Sequence, residues 1–149
     1  MATRWRQVIA LTDELHECDL VLISAPMWNF SVPWHLKRWI DCVVQARLTF
    51  STNGRGHEGL LRGRPCVLLT SRDGLYRGRD ATPGADFQIP YLRHVLGFMG
   101  LGPVYAVAAD GMALPDRTLS LVAAQGEARS LARTVTALLR APSSVREVP

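Results

Sequence analysis

The pattern of apolar and polar positions divides the chain into alternating helical and strand-like segments. Two segments, 4–17 and 33–46, carry apolar residues along one side of an amphipathic helix. Two further segments, 89–99 and 119–139, also predict helices, the last one helped by its alanine and leucine content. Three short continuous apolar runs, typical of strands covered on both faces, lie between them: 19–23, 65–71 and 104–109. This alternating order predicts an α/β fold in which a parallel sheet has helices on both faces.

Only three strands are visible in this pattern. At least one edge strand is then unpaired, and an unpaired edge is a surface with which another chain can pair. We therefore expect an oligomer in which the edge of the 19–23 strand is covered. We further expect one α/β domain over 1–141, polar glycine-containing loops over 51–64 and 75–86, and a flexible C-terminal tail over 142–149.

The composition of the 149 residues fits a folded chain rather than a disordered or membrane-spanning one. Hydrophobic residues make up 48%, which is too many for intrinsic disorder. No apolar run approaches the roughly 20 residues that cross a bilayer, and the start lacks the apolar core of a signal peptide, so we expect a cytoplasmic protein. The net charge is +4, but the arginines of the central region alternate with glycine and aspartate, so we expect no nucleic-acid partner.

The spacing of cysteine and histidine does not predict a metal site. Cys18, Cys42 and Cys66 form no CxxC pair and lie among apolar residues, as reduced core cysteines do. His16 stands near Cys18 but has no further ligand at a suitable spacing. We therefore expect buried thiols and no bound metal.

The most informative segment is the turn between the first predicted strand and the second predicted helix. It contains Pro26, Met27, Trp28, Asn29 and Phe30. This turn leaves the carboxyl end of a strand, which is where open α/β sheets bind their ligands. A flat aromatic, a carboxamide and a thioether beside a run of backbone amides suit a planar heteroaromatic ring better than a metal or a nucleophile. The turn is therefore the candidate ligand site.

At the level of residues, the chain resembles the family of FMN-dependent NADH-azoreductases and NAD(P)H quinone reductases. Three segments carry the resemblance, in the family's order, between residues 19 and 110. They are APMWNFSVP over 25–33 followed by LKRWID over 36–41, TF at 49–50 with GLLRGR over 59–64 and SRDG over 71–74, and FQIPYLRHVLGFMG over 87–100.

The resemblance implies a flavodoxin-like three-layer sandwich whose parallel sheet is truncated to about three core strands. It implies an FMN-dependent oxidoreductase, working as a homodimer, that uses NADH or NADPH to reduce quinones, azo compounds or other flat aromatic acceptors. Asn29 would hydrogen-bond the flavin ring, with Met27 and Trp28 flanking it. The residues implied as cofactor-binding are Pro26, Met27, Trp28, Asn29, Phe30, Ser71, Arg72, Asp73 and Gly74.

The chain departs from the family at the part that holds the FMN phosphate. Family members start with a strand, a serine-containing phosphate loop, a helix and a second strand, whereas this sequence starts at the helix before the family's third strand. Trp28 replaces the usual tyrosine, and Asp73 replaces the first glycine of the second flavin loop. A carboxylate at that place is expected to crowd or repel the electron-rich pyrimidine end of a flavin.

Two other functions stay open on the sequence alone. A flavin-free enzyme of the same fold could act on a polycyclic aromatic or polyketide-like substrate, as a cyclase, isomerase or hydrolase, with His57, Asp73 or Tyr76 as its acid–base residue. Histidine changes its charge near neutral pH, and Glu58 beside His57 could orient it. The chain could also be a non-catalytic subunit whose sheet is completed by another polypeptide.

Overall fold

The computed structural model describes residues 2–52, 54 and 56–141. The helices are α1 (Ala2–Glu17), α2 (Trp34–Val43), α3 (Ile89–Phe98) and α4 (Arg117–Arg140). The strands are β1 (Val21–Ser24), β2 (Phe50–Thr52), β3 (His57–Gly59), β4 (Cys66–Ser71) and β5 (Val104–Ala109). All four predicted helices and all three predicted strands are confirmed, and the predicted tail 142–149 lies outside the described residues. No helix in the described ranges combines the length and the hydropathy needed to span a membrane.

Three of the strands form the predicted parallel sheet, in the order β1-β4-β5. Val21 lies opposite Cys66, and Cys66 lies opposite Val104, so the three strands begin together at one edge. Parallel neighbours need crossover connections, and here α2 lies between β1 and β4 in the chain while α3 lies between β4 and β5. The loops that leave the carboxyl ends of the strands therefore gather at the opposite edge.

Helices cover both faces of this sheet, which makes the molecule a three-layer α/β sandwich. Alternate residues of a strand point to opposite faces. On one face, Leu15 of α1, Ile40 of α2 and Leu96 of α3 pack with the sheet in one core. On the other face, Val107 of β5 packs against Ala124 of α4. The predicted fold class is confirmed.

β1 forms an edge of the sheet. It pairs with β4 on one side, and on its other side no strand of the described residues lies beside it. Leu22, in the middle of β1, is 59% exposed, whereas Val67 opposite it on β4 is 7% exposed. The unpaired edge expected from the sequence is thus present in the part of the chain that the structure describes.

The segment 51–64, predicted as a loop, contains an antiparallel hairpin. β2 and β3 pair with Phe50 opposite Gly59. The rings of Phe50 and His57 lie against Phe98 of α3, at centroid distances of 4.7 and 4.2 Å. The loop prediction was wrong because strands of three residues, largely polar in sequence, are too short to show an alternating pattern.

The three cysteines differ in burial. Cys66 in β4 is fully buried, and burial raises the pKa of its thiol to about 12. The thiol therefore stays protonated and unreactive near neutral pH. Cys18 and Cys42 are free and half-buried, so the prediction of buried thiols holds in full only for Cys66. Among the described residues, no group of His, Cys, Asp and Glu side chains is arranged to hold a metal ion.

The close contact between Gly59 and Gly100 gives a test of how the hairpin packs. A Cβ on Gly59 would lie 2.2 Å from the backbone nitrogen of Gly100, so the two backbones would have to move apart. We expect Gly59→Ala to lower the free energy of unfolding by about 3 kcal/mol, measured by urea unfolding. The control Gly126→Ala places a methyl group in open space on α4 and is expected to raise that free energy by up to about 1 kcal/mol. Equal stabilities of the two variants would show that the hairpin does not pack as described.

Candidate functional site

Two loops leave the carboxyl ends of neighbouring strands and are fastened to each other. The first loop, 25–33, follows β1, and the second loop, 71–76, begins at the end of β4. The pairing of β1 with β4 continues into the first loop, because the backbone N–H of Ala25 donates to the Leu69 carbonyl at 3.0 Å and that of Met27 donates to the Ser71 carbonyl at 2.9 Å. The two segments that the resemblance places against a ring are therefore adjacent.

The tip of the first loop is a tight turn with unusual backbone angles. The backbones of Trp28 and Ser31 exchange two hydrogen bonds, at 3.0 and 2.9 Å. Between them, Asn29 and Phe30 have φ angles of 47° and 68°. Asparagine adopts this left-handed region readily, whereas phenylalanine is strained there. Such strain is found preferentially at functional sites, which supports the choice of this loop.

Both loops carry backbone N–H groups that are available to a ligand. Those of Asn29, Phe30, Asp73 and Gly74 make no hydrogen bond within the described part of the chain. Donors of this kind can pair with the ring nitrogens and carbonyl oxygens at the edge of a heteroaromatic ligand. Because they occur on both loops, the edge offers donors from two directions.

Large aromatic side chains stand exposed around the first loop. Trp28, Phe30, Trp34 and Phe87 are between 47% and 60% exposed. The ring of His35 stacks on Trp34 at a centroid distance of 3.9 Å and meets Trp28 edge-on at 5.9 Å. The backbone N–H of Phe87 donates to the Phe30 carbonyl at 3.0 Å, which brings the start of α3 to the same place. A concentration of exposed aromatic surface marks a binding site for a ligand or a partner.

A groove of about 770 Å³ lies beside the first loop and along α2. Its lining includes Trp28 and Asn29 of the loop, Lys37 of α2 and Tyr91 of α3, and it includes no described residue of the second loop. A hydrogen bond at 2.5 Å from Lys37 to Asp41 raises the pKa of the Lys37 ammonium, and burial raises the pKa of the Tyr91 phenol. Both groups keep their protons at neutral pH, so the groove presents a cation and a hydroxyl donor.

The guanidinium of Arg72 lies inside the protein, below the second loop, and has internal partners. Its Nε and Nη2 donate to the two carboxylate oxygens of Asp110 at 2.5 and 3.0 Å, and its Nη1 donates to Asp86 at 2.6 Å. The backbone N–H of Arg72 donates to the Ala109 carbonyl at 2.9 Å. Arg72 therefore shapes the second loop from inside.

The other residues implied as cofactor-binding lie at the surface of this edge. Exposed are Pro26, Trp28, Asn29, Phe30, Ser71 and Asp73, whereas Met27 and Gly74 are half-buried. The structure brings the two groups of predicted residues together. A contact between them and a cofactor stays a prediction.

The three candidate acid–base residues are not all in one place. Asp73 is exposed on the second loop, and Tyr76 lies on the same loop with its ring 5.0 Å from the Arg72 guanidinium. His57 stacks on Phe98, the last residue of α3, whereas the site lies near the first residues of that helix. Ten helical residues span about 15 Å. The carboxylate of Glu58 pairs with Arg62, the one ion pair found for it among the described residues, so it does not orient His57.

Three residues that hold this edge together were not predicted from the sequence: Asp86, Gln88 and Asp110. Asp110 directly follows the apolar run of β5, and a charged residue at the end of a buried strand was a usable signal. Asp86 accepts hydrogen bonds from the backbone N–H groups of Gln88 and Ile89, both at 3.0 Å, and a carboxylate just before a helix was also a usable signal. Gln88 gave no signal of its own.

The fold and the site together define a class of protein. It is an open α/β protein with parallel strands whose candidate ligand site lies beyond the carboxyl ends of two neighbouring strands. The model of a protein family described as having a flavodoxin-like fold matches residues 2–132. The chain belongs to this flavodoxin-like family, and the resemblance found in the sequence is confirmed.

Curated relatives match most of the chain. An FMN-dependent NADH:quinone oxidoreductase of Hyphomonas neptunium is 44% identical over 126 residues, which are 83% of this chain and 60% of that protein. FMN-dependent NADH:quinone oxidoreductase 3 of Pseudomonas aeruginosa is 43% identical over 130 residues, which are 86% of this chain and 59% of that protein. The chain thus spans about 60% of the length of these relatives.

A solved structure shows the same architecture. An FMN-dependent NADH-azoreductase from Bacillus anthracis, in complex with FMN, superposes on this chain with a TM-score of 0.83 at 26% identity. The match covers 90% of this chain and 64% of that one. The flavodoxin-like arrangement of strands and helices is therefore shared.

The buried ion pairs of Arg72 give a second test. Removing the guanidinium would leave Asp86 without its charged partner, and Asp110 would keep only Arg77, at 3.3 Å, among the described residues. The site is largely closed to water, since the side chains of Asp110 and Asp86 are 11% and 20% exposed. We expect Arg72→Met to lower the free energy of unfolding by about 3–5 kcal/mol in urea unfolding. The control Arg62→Met removes an exposed pair with Glu58 and is expected to change that free energy by at most about 1 kcal/mol. A loss for Arg72→Met as small as that of the control would refute the importance of the buried pairs.

Proposed function

We propose that this chain provides the ring-binding part of an FMN-dependent oxidoreductase that uses NADH or NADPH to reduce quinones, azo compounds or other flat aromatic acceptors. The relatives described above are named FMN-dependent NADH:quinone oxidoreductases, and the structural neighbour is an azoreductase in complex with FMN. Because the chain spans about 60% of those relatives, the proposal depends on what its own site can do.

The observation that carries the proposal is the hydrogen bond from the Met27 N–H to the Ser71 carbonyl at 2.9 Å. It holds the two loops side by side at the carboxyl edge of the sheet. The unpaired backbone N–H groups of Asn29 and Gly74 then lie on adjacent segments. This arrangement can hold a flat ring that carries hydrogen-bond acceptors on its rim.

The residues of the site fit the isoalloxazine ring of FMN. This ring is flat and apolar at one end and has acceptor atoms along the other. Met27 and Trp28 offer apolar surface for its plane, and the backbone donors of both loops suit its polar rim. Asp73 is exposed, so its carboxylate lies in water and has room to avoid the pyrimidine edge. We assign ring contacts to Pro26, Met27, Trp28, Asn29, Phe30, Ser71, Asp73 and Gly74, and the shape of the second loop to Arg72.

The chemistry that bound FMN supplies is the transfer of two electrons and one proton, as hydride, from NADH or NADPH to an acceptor; a quinone takes a second proton from solvent and becomes a hydroquinone. The chain itself binds and orients. In the groove beside the first loop, the phenol of Tyr91 keeps its proton and can donate a hydrogen bond to an acceptor oxygen. The exposed ring of Trp34 lies in the same groove and suits a flat acceptor.

The flavin-free alternative has less support from the geometry. Acid–base catalysis needs its groups within hydrogen-bond reach of one substrate. Asp73 and Tyr76 share the second loop, but His57 lies beside Phe98 at the far end of α3.

A cytoplasmic location stays a prediction from the sequence.

Flavin binding tests the proposal directly. We expect the purified chain to take up FMN, to show the flavin band near about 450 nm, and to oxidise NADH with a naphthoquinone as acceptor. Trp28→Ala removes a ring from the first loop and is expected to weaken FMN binding about tenfold in a fluorescence titration. Trp5→Ala removes an equally exposed tryptophan on α1 and is the matched control, with unchanged affinity expected. A chain whose addition leaves the FMN fluorescence unchanged at about 1 mM protein would exclude this function.

The unpaired edge of β1 can pair with another chain, which supports a homodimer. The same edge supports the second candidate function, a non-catalytic subunit whose sheet is completed by a different polypeptide. We expect light scattering at micromolar concentration to give twice the mass of the chain, and Leu22→Lys to shift the population toward monomer because a charge is placed on that edge. Leu114→Lys, at an exposed leucine beyond β5, is the control. A monomeric wild-type chain would contradict the dimer, and a second polypeptide copurifying at equal amount would favour the subunit.

A further inference from the structure

Gln88 is a fully buried polar side chain that belongs to neither loop of the candidate site. It immediately precedes α3 and has no exposed surface. Its carboxamide oxygen accepts a hydrogen bond from the Thr70 hydroxyl of β4 at 2.7 Å. Its carboxamide nitrogen donates to the carbonyls of Ala25 at 3.3 Å and Pro26 at 2.9 Å. One side chain therefore links α3, β4 and the first loop.

The chemistry of these partners requires a carboxamide. Two carbonyl oxygens need N–H donors, and one hydroxyl needs an acceptor. Asparagine and glutamine are the uncharged side chains that offer two N–H donors and a carbonyl acceptor at once. The reach from the start of α3 to the first loop favours the longer glutamine.

A chain of contacts connects Gln88 with the second loop. One carboxylate oxygen of Asp86 accepts hydrogen bonds from the backbone N–H groups of Gln88 and Ile89. Its other oxygen accepts a hydrogen bond from the Arg72 guanidinium. Arg72 in turn is held by Asp110 at the end of β5. The start of α3 is thus fixed to the second loop by an ion pair and to the first loop by Gln88.

We propose that Gln88 is a positioning residue that sets where the first loop stands relative to the second loop, and through this the geometry of the ring-binding edge. Only the consequence for a flavin ring rests on the proposed function; the fastening of the loop does not. Gln88 does not line the groove, and its side-chain hydrogen bonds to the first loop go to Ala25 and Pro26, so it acts through these two residues.

The first measurement needs no flavin. Gln88→Met keeps the length of the side chain and removes its donors and its acceptor. Amide hydrogen exchange is expected to become about tenfold faster at Met27, Trp28 and Ser31 and to stay unchanged at Val107 of β5. The N–H of Met27 is hydrogen-bonded to Ser71, and those of Trp28 and Ser31 are hydrogen-bonded to each other's carbonyls. The matched control is Gln45→Met, which loses a single hydrogen bond to the Asp41 carbonyl on α2 and is expected to change neither.

The second measurement distinguishes positioning from general loss of stability. In Gln88→Glu, a neutral carboxyl can still accept from Thr70 and donate to Pro26, whereas an ionised one cannot donate. We expect burial, together with the carboxylate of Asp86 that binds the backbone N–H of residue 88, to raise the pKa of the new carboxyl. The Arg72 guanidinium, which Asp86 already pairs, is expected to oppose this only in part. At about pH 5, the exchange rate of the first loop and the affinity for riboflavin should therefore approach wild-type values. At about pH 8, exchange should be about tenfold faster than in the wild type, after correction for the intrinsic effect of pH, and riboflavin should bind about tenfold more weakly.

The outcomes separate this inference from the function proposed above. Wild-type exchange at Met27, Trp28 and Ser31 in Gln88→Met, or acceleration at Val107 by the same factor, would overturn the positioning role. If Gln88→Met does not fold, the test rests on Gln88→Glu. Loop exchange in that variant with the same pH dependence as in the wild type would also overturn the positioning role. A third outcome is that loop exchange is faster in Gln88→Met but the wild-type chain itself takes up no riboflavin. The positioning role of Gln88 would then stand, and the proposed flavin-dependent function would be refuted.

Discussion

A positive charge buried at the carboxyl edge of the sheet governs the architecture of this site. The guanidinium of Arg72 has no contact with water, and a buried charge is tolerated only where it is paired and hydrogen-bonded. Its partners are Asp110 at the end of β5 and Asp86 before α3. Satisfying one charge therefore draws two strand ends and a helix start to one place, and the loop that carries Arg72 has little freedom left.

This constraint reaches the first loop only indirectly. Asp86 positions the first turn of α3, and that turn carries Gln88 inward to the carbonyls of Ala25 and Pro26. The polar interior is complete, since no buried side-chain nitrogen or oxygen of the described residues lacks a partner. The buried polar contacts fix the two loops from the protein interior, and the exposed aromatic side chains lie on their outer side. A preformed ligand site needs both features.

The sequence predicts the parts of this structure that depend on local patterns. Helices and strands follow from the pattern of apolar residues, and the first loop follows from its place after an apolar run, although the strand formed by that run, β1, is an edge with Leu22 exposed. The β2–β3 hairpin was missed because its strands are short and polar, and it is held by a glycine-to-glycine contact that no pattern shows. The partners of Arg72 were missed because they lie 14 and 38 residues away, and only the folded chain places them together.

The way the polar residues are distributed also bears on which chemistry the fold can support. A protein that performs acid–base catalysis itself must hold its acid and base around one substrate. Asp86 and Asp110, the carboxylates below the second loop, are paired with arginines. Asp73 is exposed on that loop, and His57 belongs to a hairpin at the other end of α3, so the two do not meet around one substrate. Most of the edge consists of aromatic surface and backbone donors. Such groups bind and orient a flat ring well and do little chemistry themselves, which is the division of labour expected when a cofactor carries out the reaction.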